Sequence, residues 1–403
     1  MTRASLSDLV ASVPPSGIID TFNRAYALRQ QGYDLVDFSV GEPDCETPEH
    51  IRAAGIAAIH AGETRYTPSD GTLALKQAIA RKFARDNELE FSTDNIVVGA
   101  GAKPLLAAAI QSLLNPNDQV IMPTPLWASH LGIVQSVGAK PILVDTQCSN
   151  FKLTADQLNE HTTPQTRLLM LCSPSNPTGA VYSRDELSAL AEVLRRHPNI
   201  MVISDDLYEH IVFDDLPFWT LAQVAPDLSD RILTVNGLSK AYAMTGWRIG
   251  FAGGPTWWIH GIKTVFGQVS GGPCSISQVA GIAALDGPQG FLKENCAIYQ
   301  SRRDYALNAL RGIDGLDVRK PEGAFYIMPK CGGLNGRQTP NGQRITNSTD
   351  LANYFLEQGV VVVPGPGFAC DPFFRISIAT SDMVLREGLV RISAAVNALL
   401  SGA

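Results

Sequence analysis

The chain has 403 residues, 45% of them hydrophobic and 18% charged, with a formal net charge of −7. That length exceeds one ordinary domain and can bury a sizeable core, so a larger and a smaller lobe are expected. The acidic balance argues against nucleic acid or an anionic membrane surface as the main partner, and no run reaches the ~18 apolar residues of a membrane span.

Cys45, Cys148, Cys172, Cys274, Cys296, Cys331 and Cys370 are scattered and form no C-x-x-C pair. A disulfide framework or zinc site is therefore not expected, and a reducing cytoplasm fits better. The histidines form no H-x-x-x-H or H-E-x-x-H pair, so no metal site is expected. The opening MTRASLSDLVASVPPSG lacks the apolar core of a signal peptide.

In chain order, residues 1–45 read as an N-terminal segment that packs on the small lobe, and residues 46–287 as a large ligand-binding domain. From about residue 95 to 255, short runs rich in Val and Ile (NIVVGAG, DQVIMPTP, KPILVD, RLLMLCSP, IMVISDD, RILTVNG, WRIGFAGG) are separated by helical segments such as LLAAAIQSLL and RDELSALAEVLRRH. Such alternation predicts an α/β lobe whose mostly parallel sheet is covered by helices on both faces. From residue 288 to 403 the pattern changes to a long charged helix, GAFYIM, a polar Gly/Asn loop, another helix and FFRISIA. This predicts a smaller α+β lobe.

Ligands of open α/β sheets sit outside the carboxyl ends of the strands, and five of the strand ends here carry unusual residues. NIVV leads to Gly99, Ala100, Gly101, Ala102, Lys103 and Pro104 ahead of an apolar helix. Pro104 suits a first helical turn, and small residues before it let a phosphate approach free backbone N–H groups. Because Lys103 precedes proline, extended backbone is expected there, sending its side chain away from the phosphate. VIMPTP leads to Trp127, which is either a ligand-facing ring or an ordinary core aromatic. RLLMLCSP leads to SNPTG, turn chemistry throughout, with Asn176 inside it. IMVIS ends on Asp205 and Asp206, with Tyr208 close behind, although two acids there can equally cap a following helix. RILTVNGL leads to Ser239 and Lys240, with Arg248 further on: a phosphate grip beside a reactive amine, or a basic surface loop. In FFRISIA, period-two alternation puts Arg375, Ser377 and Ala379 on one face and Phe374, Ile376 and Ile378 on the other.

SPSNPTG, SDDLYEH and NGLSKAYAMTGWRIG, continued by GEPDCETPEH, TRYTPSDG, EGAFYIM and VVPGPGFACDPFFRISIATS, resemble the fold-type-I, class I/II aminotransferases, which use pyridoxal 5′-phosphate. The resemblance runs from about residue 35 to 395 and is nearest to the bacterial branch that includes aspartate aminotransferases of thermophiles and rhizobia. It implies a homodimer with shared active sites, acting on a small-molecule amino acid and a 2-oxo acid. Lys240 would hold the cofactor aldehyde and later act as general base at the substrate α-carbon. Asp205, preferred to Asp206 on the D-x-x-Y spacing to Tyr208, would keep a proton on the pyridine nitrogen. Asn176 and Tyr208 would hydrogen-bond the phenolic oxygen, and Trp127 would stack on the ring. The phosphate would meet the N–H groups of Gly101, Ala102 and Lys103, the Ser239 hydroxyl, Arg248, and Tyr66 from a second copy. Arg375 would capture the substrate α-carboxylate beside Gly41, Trp127 and Asn176. The Asn176–Pro177 and Thr124–Pro125 peptides would be cis.

In the resembling aspartate-specific branch the lysine at the position of Lys103 reads the distal carboxylate. The expected reaction is therefore transfer from aspartate to 2-oxoglutarate, giving oxaloacetate and glutamate. Three features keep an aromatic or broad-range aminotransferase open. Pro104 replaces the usual glutamine. SGGPCSIS, residues 270–277, offers only Ser270, Ser275 and Ser277 where relatives supply hydroxyls. The stretch at residues 14–18 is largely apolar. A β-lyase would share the same cofactor grip. A ligand-sensing domain is disfavoured because no basic helix-turn-helix segment precedes the large lobe.

Overall fold

The computed structural model describes residues 6–11, 13 and 17–401. Its centre is a seven-stranded sheet. In spatial order the strands are Ile96–Gly99, Gly250–Gly253, Ile232–Gly237, Met201–Asp205, Thr166–Cys172, Gln119–Thr124 and Lys140–Asp145. Gly250–Gly253 is antiparallel to both neighbours, and every other pairing is parallel. All the strands but that one therefore send their carboxyl ends to the same edge.

The continuous apolar runs follow from burial on both faces. In Thr166–Cys172, Leu168 and Met170 pack with Leu105, Ile110, Ile259 and Ile262 from the helices Ala102–Leu113 and Thr256–Val269. Leu169 and Leu171 point the other way, against Leu187, Leu190 and Leu194 of the helix Arg184–Arg196. That helix begins at a reciprocal cap: Ser183 Oγ accepts from the Glu186 N–H at 3.2 Å, and the Glu186 carboxylate accepts from the Ser183 N–H at 2.8 Å. Polar side chains do enter neighbouring strands, as at Ser204, Asp205, Thr234 and Asn236, but Leu168 to Leu171 are apolar throughout.

Beyond the large sheet, Phe374–Ser377 is the middle strand of three, antiparallel to Val363–Pro364 and Tyr326–Ile327. Val36–Asp37 pairs in parallel with Val360–Val361, and Arg24 donates to Asn353 at 2.8 Å, so the segment ahead of the large sheet lies against this region. One cluster of buried side chains, including Phe38, Tyr208, Phe325, Tyr326 and Leu385, runs between the two sheets. It seats the small sheet over the strand ends of the large one. Among the described residues no helix is long and apolar enough to cross a membrane.

Candidate active site

The strand-end residues converge on one cavity of about 420 Å³. Trp127, Asn176, Asp205, Tyr208, Ser239 and Lys240 line it from the large sheet. Gly41, Tyr326 and Arg375 close it from the opposite side, and Ala102, Lys103 and Arg248 stand at one end. The Asn176–Pro177 and Thr124–Pro125 peptides are cis, as expected, and so are Ser173–Pro174 and Asp371–Pro372.

Lys240 Nζ donates to the Gly41 carbonyl at 2.5 Å. Withdrawal from bulk water pushes its pKa down to about 8; the Arg375 and Arg248 charges act in the same direction and Glu42 opposes them. The amine is thus available as a neutral nucleophile well below the usual lysine range.

Asp205 and Asp206 point in opposite directions, as neighbours at a strand end must. Asp205 lines the cavity, and its Oδ2 lies 3.0 Å from His130 Nε2. Asp206 does not line it; its Oδ1 accepts from Ser204 Oγ at 2.7 Å, and burial pushes its pKa up to about 7. No helix follows these acids, since residues 207–210 form a turn, so the helix-capping alternative falls away. His130 was not anticipated from the sequence. It is buried on the helix Ala128–Ser136, three residues after Trp127, whose ring it meets edge-on at 5.2 Å. That i, i+3 spacing beside a strand-exit tryptophan was the one available signal.

Arg375 is buried, and among the described residues no carboxylate pairs with it. Nη1 donates to Asn176 Oδ1 at 3.0 Å, Nη2 donates to the Ser39 carbonyl at 2.6 Å, and Nε has no hydrogen-bond partner. Burial draws its pKa below the usual guanidinium value. An unneutralised guanidinium in a cavity wall is a ready site for a carboxylate. Tyr208 is also buried; its hydroxyl lies 2.8 Å from that of Tyr326, and burial raises its pKa well above the ordinary phenol value.

At the other end of the cavity two expectations need correction. Gly101 has φ +99°, and a Cβ there would come within 2.3 Å of Arg248 Nη2, so only glycine admits this guanidinium. Its N–H, however, already donates to the Gly99 carbonyl at 2.7 Å. The N–H groups left for an anion are those of Ala102 and Lys103, which have no carbonyl one turn back. Lys103 is not extended but is the second residue of the helix Ala102–Leu113. Pro104 is the third, where a missing N–H loses no intrahelical bond, and the apolar helix beyond it overrides the extended preference. Lys103 Nζ still reaches the cavity, 4.8 Å from the centre of the Trp127 ring. Partial desolvation lowers its pKa, and the Arg248 charge adds to this.

Tyr66 does not line the cavity and is wholly exposed. Ser270, Ser275 and Ser277 also lie outside it, with Ser275 Oγ donating to the Glu63 carbonyl at 2.6 Å. Of the apolar stretch at 14–18, residues 14–16 lie outside the described residues. Asp86, Glu209 and His210 bring ligand-type atoms within 4.8 Å of one another, a grouping that histidine spacing alone could not reveal. The buried Lys82 ammonium already pairs with Glu209 and lies 3.9 Å from Asp86, filling the place of a cation.

A mostly parallel sheet covered by helices, with a polar-lined cavity outside its strand ends, is the architecture of an α/β enzyme. More particularly, the chain belongs to the class I and II aminotransferases, whose family model matches residues 33–392. It is 50% identical over 392 residues to an aspartate aminotransferase of Rhizobium meliloti, covering 97% of this chain and 96% of that one. It is 47% identical to an aspartate/prephenate aminotransferase of Cereibacter sphaeroides, covering 97% and 98%. The fold is similar to the crystal structure of the aspartate aminotransferase from Rhizobium meliloti, with a TM-score of 0.95 and 49% identity over 98% of this chain and 100% of that one.

Proposed function

We propose that this chain is a pyridoxal-phosphate-dependent aminotransferase that moves the amino group of aspartate to 2-oxoglutarate, giving oxaloacetate and glutamate. The observation that carries the substrate reading is the pair of cations, Arg375 and Lys103, at separate points of one cavity. Among the described residues neither is paired with a carboxylate of the chain. Two such charges suit the two carboxylates of aspartate, and the names of the most similar relatives agree.

The residues fit the cofactor. The Gly101 turn that a Cβ would fill, the unpaired N–H groups of Ala102 and Lys103, the Ser239 hydroxyl and Arg248 suit its phosphate. Asp205, backed by His130, would hold a proton on the pyridine nitrogen. Asn176 and Tyr208 would face the phenolic oxygen, and Trp127 the ring. Bound there, the cofactor supplies an electron sink for the charge that develops at the substrate α-carbon. Arg375, with Gly41 and Asn176 beside it, orients the substrate through its α-carboxylate. Lys240, once released, takes the α-proton and returns it on the far side of the transfer.

A second copy would complete the phosphate grip with its Tyr66. Ile56, Ile59 and Val269 are also exposed. The helix Glu49–His60 packs on the helix Ser275–Asp286, and the Gly272 turn lies against Thr67 and Pro68, so these segments adjoin. A homodimer would cover them. The seven cysteines are free thiols, which favours a reducing, cytoplasmic setting.

Two measurements test this reading. Lys103→Gln should lower kcat/KM for aspartate and glutamate by roughly 10- to 150-fold, since a charged hydrogen bond contributes about 1.5–3 kcal/mol. Alanine and phenylalanine, with no distal charge, should lose far less. An equal loss for both donor classes would mean that Lys103 only adds positive potential, and would favour an aromatic or broad-range aminotransferase instead. Secondly, the rate at which cofactor-free protein forms its lysine-linked chromophore should rise about tenfold per pH unit as the amine deprotonates. It should level off above about pH 8. A rise that continues beyond pH 10 would mean an ordinary, unperturbed lysine.

A further inference from the structure

We propose that Tyr326 is a positioning residue that couples the substrate-carboxylate grip to the ring-oxygen donor. Its ring supports the Arg375 guanidinium while its hydroxyl feeds a hydrogen bond into Tyr208. The inference rests on the cofactor reading above and deepens it.

The register of the small sheet brings these groups together. Tyr326 lies directly opposite Ser377 in the antiparallel pair Phe374–Ser377 and Tyr326–Ile327. Arg375, two residues from Ser377 on the same face, is therefore the diagonal neighbour, within reach of a long side chain. Its guanidinium stands 4.3 Å from the centre of the Tyr326 ring, with Phe368 at 5.0 Å. With Nε unpartnered and only Asn176 and Ser39 accepting its hydrogen bonds, those two rings fix the plane in which the fork meets a carboxylate.

The hydroxyl is held just as closely. It lies 2.8 Å from the Tyr208 hydroxyl, and a Cβ at Gly41 would come within 2.2 Å of it. Gly41 is thus glycine partly because Tyr326 occupies the space a side chain would need. Each phenol has one proton to give. If Tyr208 donates to the cofactor's phenolic oxygen, Tyr326 must be the donor within the tyrosine pair. Successive O–H groups in such a chain polarise one another, so Tyr326 makes Tyr208 the stronger donor.

The sign of the effect follows. A stronger donor at the ring oxygen stabilises its negative charge when the cofactor-bound nitrogen of Lys240 is unprotonated. Weakening that donor makes the nitrogen hold its proton more tightly, and the pH midpoint of the lysine-linked absorbance rises.

Tyr326→Phe and Tyr326→Leu, each loaded with pyridoxal 5′-phosphate, test this by absorbance against pH and by KM for aspartate and alanine. Tyr326→Phe keeps ring and volume. It should raise the midpoint by roughly 0.5–1 pH unit and leave both KM values within about twofold. Tyr326→Leu should raise the midpoint similarly and also raise KM for both donors by about 3- to 30-fold, the size of a lost cation–π contact. A merely structural role would lower thermal stability without moving the midpoint, and an unmoved midpoint in Tyr326→Phe overturns the hydroxyl link. Unchanged KM values in Tyr326→Leu overturn the guanidinium support. Should the Leu variant fail to fold, the Phe variant still decides the hydroxyl link. Should the unsubstituted protein gain no lysine-linked absorbance, the cofactor reading itself falls.

Discussion

Lys240→Ala is expected to reduce transamination on the order of 10⁴- to 10⁶-fold, the scale on which loss of an essential nucleophile and base is felt. The proposed mechanism puts both roles on one amine, so a single substitution removes both. Folding should survive the change. The lysine's pKa is depressed to about 8, which means that its charged form is disfavoured in the folded protein. Below pH 8, truncation therefore removes a destabilising charge beside Arg375 and Arg248. The Gly41 carbonyl loses one donor, and the Ala102 and Lys103 N–H groups, Ser239, Arg248 and Asp205 remain. The variant should retain bound pyridoxal 5′-phosphate after gel filtration, with the absorbance of a free aldehyde rather than of a lysine adduct. Multiple turnovers by Lys240→Ala at more than a hundredth of the parent rate would show that another group does its work.

The seven-stranded sheet was legible because its strands are buried on both faces. Leu168 to Leu171 had to be apolar whichever way each side chain points, and the first polar residues after such a run mark where the strand leaves the core. Lys240, Asp205 and Asn176 were visible in this way, as exceptions. His130 was not, because a histidine inside a short helix has no periodic context that separates a partner of Asp205 from an ordinary core residue. Tyr326 escaped for a related reason. In GAFYIM it reads as one more apolar strand position, and its significance comes from a cross-strand diagonal that only pairing register supplies. At Lys103 a local rule was applied where a helix start suspends it: proline restrains the residue before it, yet it costs no hydrogen bond within the first turn.

The second large effect separates two adjacent acids. Asp205→Asn should lower kcat roughly 10²- to 10³-fold, as expected when one preorganised charge partner of the reacting system is removed. The amide keeps the shape and can still meet His130, but it carries no charge to hold a proton on the pyridine nitrogen. Cofactor binding should persist through the phosphate. Asp206→Asn should be far milder in turnover, because its carboxylate meets Ser204 and does not line the cavity. Its effect belongs to stability instead. Burial raises the Asp206 pKa to about 7, well above the unfolded carboxyl value of 3.8. Between those two values the folded protein binds more protons than the unfolded chain, so the contribution of Asp206 to stability falls as pH rises from about 4 to 7. The amide does not titrate. Relative to the parent, Asp206→Asn should therefore gain stability against urea between pH 5 and pH 8, while Asp205→Asn loses turnover at every pH in that range. If Asp206→Asn proved the more damaging to turnover, the acid facing the cofactor would have been assigned to the wrong neighbour.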